Sequence, residues 1–306
     1  MKKVRFDCVG FGVCPVDYIC LVKKYPGLEE KLSAVGSLRQ GGGPVATALC
    51  ALGRWGAGTA IISSVGVDPD GRFVRSDFIR HNVNTLNLRM EREKATPRAF
   101  LWVETSTGRR TVALDESSSP APRARDYVLK HLPDCRVFHT DGRYPEAALK
   151  LMKHYRRRGA AVVMDAGSPR ADMESLISNT DHFVASDNFV RKYFGARTGP
   201  EKACAGLLKM GPEAVVITLG GEGCVGADRS GVFKLKGLRK KNFVVDTNGA
   251  GDVFHAGYIY GLLKGMPVAQ CAEFGNAAAF LKCGSPGGRT GIPSVKQVFD
   301  MIPSSD

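Results

Sequence analysis

No stretch of the chain offers the roughly 18 consecutive apolar residues that a membrane-spanning helix requires, so no membrane span is expected. There is no CxxC pair, no HExxH, and no histidine spacing to cysteine that makes a zinc site. GxxxxGK[ST] is also absent, which argues against a P-loop enzyme. No secretory leader is read before Cys8, and the nine cysteines are scattered along 306 residues. Reduced thiols in a cytoplasmic protein are expected, not a disulfide framework. Disorder is excluded as well. With 43% hydrophobic and 24% charged residues the composition is globular, and a folded chain of this length hides about 75% of its extended surface.

What the chain has in excess is glycine. Its 36 glycines, about 12% against a usual ~7%, follow no collagen period, so they belong in turns and close-approach loops of the kind that hold phosphates. Lys+Arg 43 against Asp+Glu 30 gives +13, which would attract nucleic acid or a small anion such as a nucleotide or acidic sugar. The basic residues are dispersed. The short clusters at 156–158 and 239–241 read as solvated faces, because nucleic-acid arms run longer and adjoin stacking aromatics.

Along the chain, β-branched runs at 4–10, 59–65, 137–140, 161–165, 182–185 and 214–219 read as buried strands. Stretches at 44–55, 71–81, 145–158, 187–194, 200–210 and 251–264 carry apolar residues at helical spacing. The alternation predicts an α/β protein with a mostly parallel sheet, in one domain over 1–306. Runs at 18–22, 32–38, 84–89, 99–104 and 111–114 lack intervening helices, and predict a small β lid built from 14–39 and 84–117. Residues 116–125, rich in Ser and Pro, predict an exposed loop. The short exposed lid strands lead us to expect a homodimer formed through them.

The most informative segment runs from Phe243 to Phe254. An apolar run enters it and an amphipathic run leaves it, which puts its glycines at a strand-to-helix turn. There the N–H groups of Gly249, Ala250 and Gly251 can approach an anion, helped by the helix dipole. Asp252 falls at the helix start. It reads equally as a helix N-cap or as a base that takes the proton from an attacking hydroxyl while the amides hold a moving phosphoryl group.

Asp246-Thr247-Asn248-Gly249-Ala250-Gly251-Asp252 closely resembles the C-terminal signature of the PfkB, or ribokinase-like, carbohydrate kinases. Gly41-Gly42-Gly43-Pro44 through Gly56-Ala57 resembles their N-terminal signature, about two hundred residues earlier as in that family. Gly66-Val67-Asp68-Pro69-Asp70-Gly71 and residues 277–293 look like further family segments. The resemblance implies a three-layer α/β/α sandwich with a β lid and an ATP- and Mg²⁺-dependent kinase of sugar hydroxyls. By the same resemblance Asp252 is the base, Gly249, Ala250 and Gly251 the anion hole, and Asp246 a residue beside a monovalent-cation (K⁺) site. Asp17, Gly42, Gly43 and Thr47 would meet the acceptor sugar. Thr218, Gly220, Gly223 and Asn276 would meet the nucleotide. Residues 221–226 also satisfy GxGxxG, but the following runs read as strands, which a dinucleotide fold does not allow.

Departures from the family pattern concern the acceptor. Thr47 and Pro44 stand where typical members carry asparagines, and Ser186-Asp187-Asn188-Phe189 replaces Asn-x-x-Glu, leaving Asp187 as the Mg²⁺ candidate. The Gly-Gly-Gly-Pro-x-Ala-Thr form and Asp-Val-Phe-His look most like the branch containing 6-deoxy-6-sulfofructose kinases, whose sulfonate-binding cations match Lys31 and Arg143. The expected activity is phosphorylation of a primary hydroxyl of a small ketose or related sugar, neutral or anionic. A sulfofructose kinase, a nucleoside kinase, and a non-catalytic sugar- or nucleic-acid-binding protein are the alternatives.

Overall fold

The computed structural model describes residues 5–302. The chain opens with β1 (Arg5–Phe11), β2 (Val16–Val22), β3 (Gly36–Gly41), α1 (Pro44–Arg54), β4 (Thr59–Gly66), α2 (Pro69–Arg80) and β5 (Val83–Glu91). It continues through β6 (Arg98–Glu104), β7 (Arg110–Asp115), β8 (Asp134–Thr140), α3 (Pro145–Arg157), β9 (Ala161–Ala166), α4 (Met173–Ser178) and β10 (His182–Ser186). Then come α5 (Asp187–Phe194), α6 (Pro200–Leu208), β11 (Ala214–Thr218), β12 (Gly223–Asp228), β13 (Gly231–Lys236), α7 (Ala250–Leu263), α8 (Val268–Lys282) and α9 (Val295–Met301).

Local sequence explains where the helices begin. Gly43, at φ +92°, turns the chain so that Pro44 can open α1, where its missing N–H costs nothing. Asp68 caps α2 by accepting from Gly71 N at 2.7 Å. α7 and α8 are apolar nearly all round because both are interior helices, and Gly257 lies against Gly275 so closely that a Cβ there would stand 2.7 Å from its Cα.

Nine strands form one sheet in the order β13-β12-β11-β10-β9-β8-β1-β4-β5, parallel except where β12 runs antiparallel to β11 and β13 to β12. One apolar cluster packs α1, α2, α7 and α8 on one face, and a second packs α3 to α6 on the other. This is the expected three-layer sandwich. The expected first strand includes Val4, which lies outside the described residues. All nine cysteines are free thiols. Among the described residues no helix is long and apolar enough to cross a membrane.

The second sheet, order β3-β2-β6-β7, is the lid. It differs from expectation in two places. Residues 84–89 belong to β5, which pairs in parallel with β4 at the edge of the main sheet, because the chain reaches it directly from α2 as an ordinary βαβ crossover. Residues 32–35 precede β3, which instead starts at Gly36 and ends in the glycine turn. The lid therefore draws on β2, β3, β6 and β7. Asp70 ties it to the body, accepting from Tyr18 Oη at 2.7 Å and Arg98 Nε at 2.6 Å and pairing with Arg39.

Candidate active site

The parallel strands end at one crevice, the usual ligand site of an open α/β sheet. Asp165 and Gly167 at the end of β9, Ser186 of β10 and Thr218 of β11 all line it. Arg143 follows β8, Val13 and Pro15 follow β1, and Asp17 comes from the lid strand β2. Thr218 and Gly251 are shared with a second cavity, so two compartments meet at the N-terminus of α7.

That N-terminus is tightly held. Gly249 adopts φ +76°, and a Cβ there would stand 2.6 Å from Gly288 Cα, so the position accepts only glycine. Asp246 is fully buried, with Oδ1 accepting from Asn248 N and Oδ2 from Gly287 N, both at 2.7 Å. The amides of Val245 and Asp246 both donate to Cys283 O, at 2.8 and 3.2 Å. Ala250 N turns back to Thr247 O at a long 3.3 Å. Over Gly251 the space is open: a Cβ would meet nothing within 4 Å. The lid reaches this loop, with Thr247 Oγ1 donating to Gly108 O at 3.2 Å and Arg110 to Thr247 Oγ1 at 3.1 Å.

The first compartment, about 220 Å³, is lined by glycines 220, 221, 223, 237 and 251 and by Leu238, Val244, Phe254, Ala279 and Phe280. Thr218 and Asn276 add its polar contacts, although the Asn276 amide already donates to Lys236 O at 2.9 Å. No charged side chain faces it among the described residues. A flat aromatic base fits such a slot. The second compartment, about 410 Å³, is the opposite: Asp17, Glu116, Asp165 and Asp252 face Arg110 and Arg143 across it, beside His255.

Burial, and after it the closeness of other carboxylates, raises the pKa values of these acids. Burial first, then the neighbouring Asp165 charge, raises Asp252 to about 6, against the pull of His255, Arg110 and Arg289. Burial raises Asp17 to about 7, with Asp252 adding to the rise and Arg289 opposing it. Asp165 is also raised, by burial, while His255, 3.4 Å away, draws it down. Asp252 and Asp17 thus fall near neutrality, the range in which a carboxyl can exchange a proton.

Asp17, Gly43, Arg143, Gly249 and Asp252 line the charged compartment, Gly220, Gly223, Ala250 and Asn276 line the apolar one, and Thr218 and Gly251 line both. Other expected residues behave differently. Gly42 lies behind Asp17, where a Cβ would be 2.0 Å from Asp17 Oδ1 and so would displace the carboxylate. Thr47 is buried and accepts from Arg289 Nε at 3.3 Å instead of facing the cleft. Lys31 sits exposed in the segment between β2 and β3 and does not line the cleft, and Arg143 is engaged by Glu116, so the two cations are not assembled into a sulfonate site. Asp187 pairs with Arg191 one turn along α5 and lines neither compartment.

Metal fit follows from these contacts. The one described cluster with ligand spacing, Cys50, Asp77 and His81, is outside the cleft, and its Asp77 is committed to Arg289 and Arg80. Asp187 is a poor Mg²⁺ ligand while paired with Arg191. Asp246 does not fit a potassium site: its carboxylate oxygens both accept main-chain N–H groups, and its carbonyl accepts Lys282 Nζ at 2.8 Å.

Sequence reasoning missed Arg110, Glu116, Asp165, His255 and Arg289. Asp165 had a usable signal, since it ends a parallel strand. Arg289, 3% exposed, donates to Gly42 O at 2.8 Å and pairs with Asp77 beneath the glycine turn, a role no local pattern announces.

A doubly wound sheet whose β lid closes on an amide-lined turn beside a poised carboxylate is the framework of a phosphotransferase that acts on hydroxyl groups. The same fold is found in an E. coli protein described as a ribokinase II and solved with ATP and Mg²⁺, with TM-score 0.83 and 20% identity, covering 97% of this chain and 99% of that one. An uncharacterized sugar kinase of Archaeoglobus fulgidus is 33% identical over 79% of this chain and 98% of its own length. Mouse ketohexokinase is 27% identical over 94% of this chain and 98% of its own. The profile of the pfkB family carbohydrate kinases matches residues 6–295, and the chain belongs to that family. It is a sugar kinase, a phosphotransferase with an alcohol group as acceptor.

Proposed function

We propose that the chain transfers the γ-phosphoryl group of ATP to a primary hydroxyl of a small, neutral ketose. The adenine lies in the apolar compartment and the acceptor in the charged one. Asp252 takes the hydroxyl proton, Asp17 holds the sugar, and the Gly249–Gly251 turn at the positive end of α7 neutralises the phosphoryl group in flight. Mg²⁺, held by phosphate oxygens and water, would lower the charge on the nucleotide. Arg110 and the lid strands exclude water that would otherwise hydrolyse ATP.

The observation that carries this reading is the junction at Gly251: a neutral, base-sized slot and a carboxylate-rich pocket share one helix N-terminus. Neutrality of the acceptor follows from charge. Four carboxylates against two guanidinium groups give no surplus of cations to attract a sulfonate or phosphate. Ketohexokinase, at 27% identity, is somewhat more similar than the Methanocaldococcus jannaschii nucleoside kinase at 24%, which favours a ketose over a nucleoside. The test is ADP release with Mg·ATP across ketoses, aldoses, sulfosugars and nucleosides. Turnover confined to nucleosides or to sulfofructose would reject the neutral-ketose reading, and no turnover with any acceptor would favour a binding protein. The edge strands β3 and β7 of the lid sheet support pairing with a second copy. A light-scattering mass near one chain would defeat that.

A further inference from the structure

Lysine is among the residues least often buried, because an ammonium stripped of water is costly unless oxygen atoms replace it. Lys282 is fully buried, the one lysine among the described residues in that state. It ends α8, and its Nζ donates to the main-chain carbonyl of Asp246 at 2.8 Å. With both carboxylate oxygens taken by the Asn248 and Gly287 amides, all three acceptor oxygens of Asp246 are met by protein hydrogens. The neighbouring backbone is committed as well. Cys283 O holds the amides of Val245 and Asp246, Ser285 N donates to Lys282 O at 3.3 Å, and Gly249 lies against Gly288.

The turn that presents the anion-hole amides is therefore clasped by residues 282–288, with one positive charge at the centre of the clasp. A lysine ammonium is a compact point charge with three donors. At a loop carbonyl beside a buried carboxylate it does what a small bound cation would do: it neutralises inward-pointing oxygens and fixes the turn that leads into the N-terminus of α7. Burial lowers the Lys282 pKa, and the carboxylates of Asp246 first and Asp252 last oppose that fall.

We propose that Lys282 is the built-in cation of the anion-hole loop, standing at the Asp246 carbonyl in place of a bound monovalent ion, so that this enzyme needs no potassium. Lys282 is a positioning residue, acting through the 246–249 turn. The activity arm of its test rests on the phosphoryl-transfer reading above, whereas the stability arm does not.

The experiment compares the full chain in potassium chloride and in choline chloride at equal ionic strength. The expected result is ADP release within threefold in the two salts and a thermal midpoint that is the same in both. Threefold or greater activation by potassium, or a midpoint raised by potassium but not by choline, overturns the proposal. If no acceptor is phosphorylated in either salt, the kinase reading fails and the thermal midpoints still decide the role of Lys282. A Lys282→Met variant should lose at least tenfold in choline and recover in part with ammonium or potassium, which a merely structural lysine would not show. Full activity of that variant in choline also overturns the proposal. Should the variant not fold, the wild-type comparison stands alone.

Discussion

The two compartments that meet at Gly251 are built by different means. The smaller one, proposed for the nucleotide, is made of backbone and apolar surface: five glycines, Phe280, Val244 and Leu238, with no charge facing in among the described residues. The larger compartment, proposed for the acceptor, adds to its apolar wall charged side chains that arrive from six separate places, namely the lid strand β2, the lid strand β7, the loop after it, the turn after β8, β9 and α7. A compartment of the first kind recognises shape and tolerates drift in its side chains. One of the second kind depends on where each charge stands, and its chemistry changes with any single replacement.

The sharpest break in this comparison is Asp252→Asn, which should lower kcat at least ~100-fold while leaving ATP affinity within about twofold, because the base serves only the acceptor side. ATP binding by calorimetry together with ADP release measures both, and near-normal turnover would remove Asp252 from the chemistry. Arg110→Met comes next. The guanidinium bonds Thr247 from the lid, so kcat/KM should fall roughly tenfold to a hundredfold, within the range for one charge-stabilising donor. Gly42→Ala should raise the acceptor KM about tenfold with ATP KM unchanged, since its Cβ displaces Asp17. An unchanged acceptor KM would mean that Asp17 does not touch the sugar. On the other side, Phe280→Ala should raise ATP KM roughly threefold to tenfold, as loss of an aromatic stacking partner predicts, and leave the acceptor KM alone.

The smallest effect is on pH dependence. The base must be ionised, so kcat/KM should rise with pH and level off above about 8, following Asp252 at about 6 and Asp17 at about 7. Stability should run the other way. A carboxyl whose pKa is raised by folding binds more protons in the native state, so native stability declines as pH climbs from about 4 to about 6. Asp252→Asn should therefore melt a few degrees higher than wild type at pH 7, and the difference should vanish below about pH 4. A lower midpoint for the variant at pH 7 would show that the ionised Asp252 is stabilising.

Much of the layout was legible because it is written locally. The β-branched runs at 59–65 and 161–165 and the helical spacing at 187–194 predicted elements that the structure places within a residue or two. The Asp246–Asp252 signature located the turn at which both compartments meet. Lys31 and Thr47 went the other way: each was matched to the cleft by position in a pattern, and each side chain is elsewhere, one in solvent and one under Arg289. The 84–89 run was placed in the lid because strand propensity does not say which sheet a strand will join.

The sequence by itself determined the family, the parallel sheet and the amide-lined turn, since glycine conformation, helix starts and strand periodicity are properties of neighbours along the chain. Only the tertiary structure decided which charges share the acceptor pocket and that a buried ammonium sits behind the turn. Arg110, Asp165, Asp252 and Lys282 are far apart in sequence, and the fields they exert on one another exist only once folding has removed the water between them.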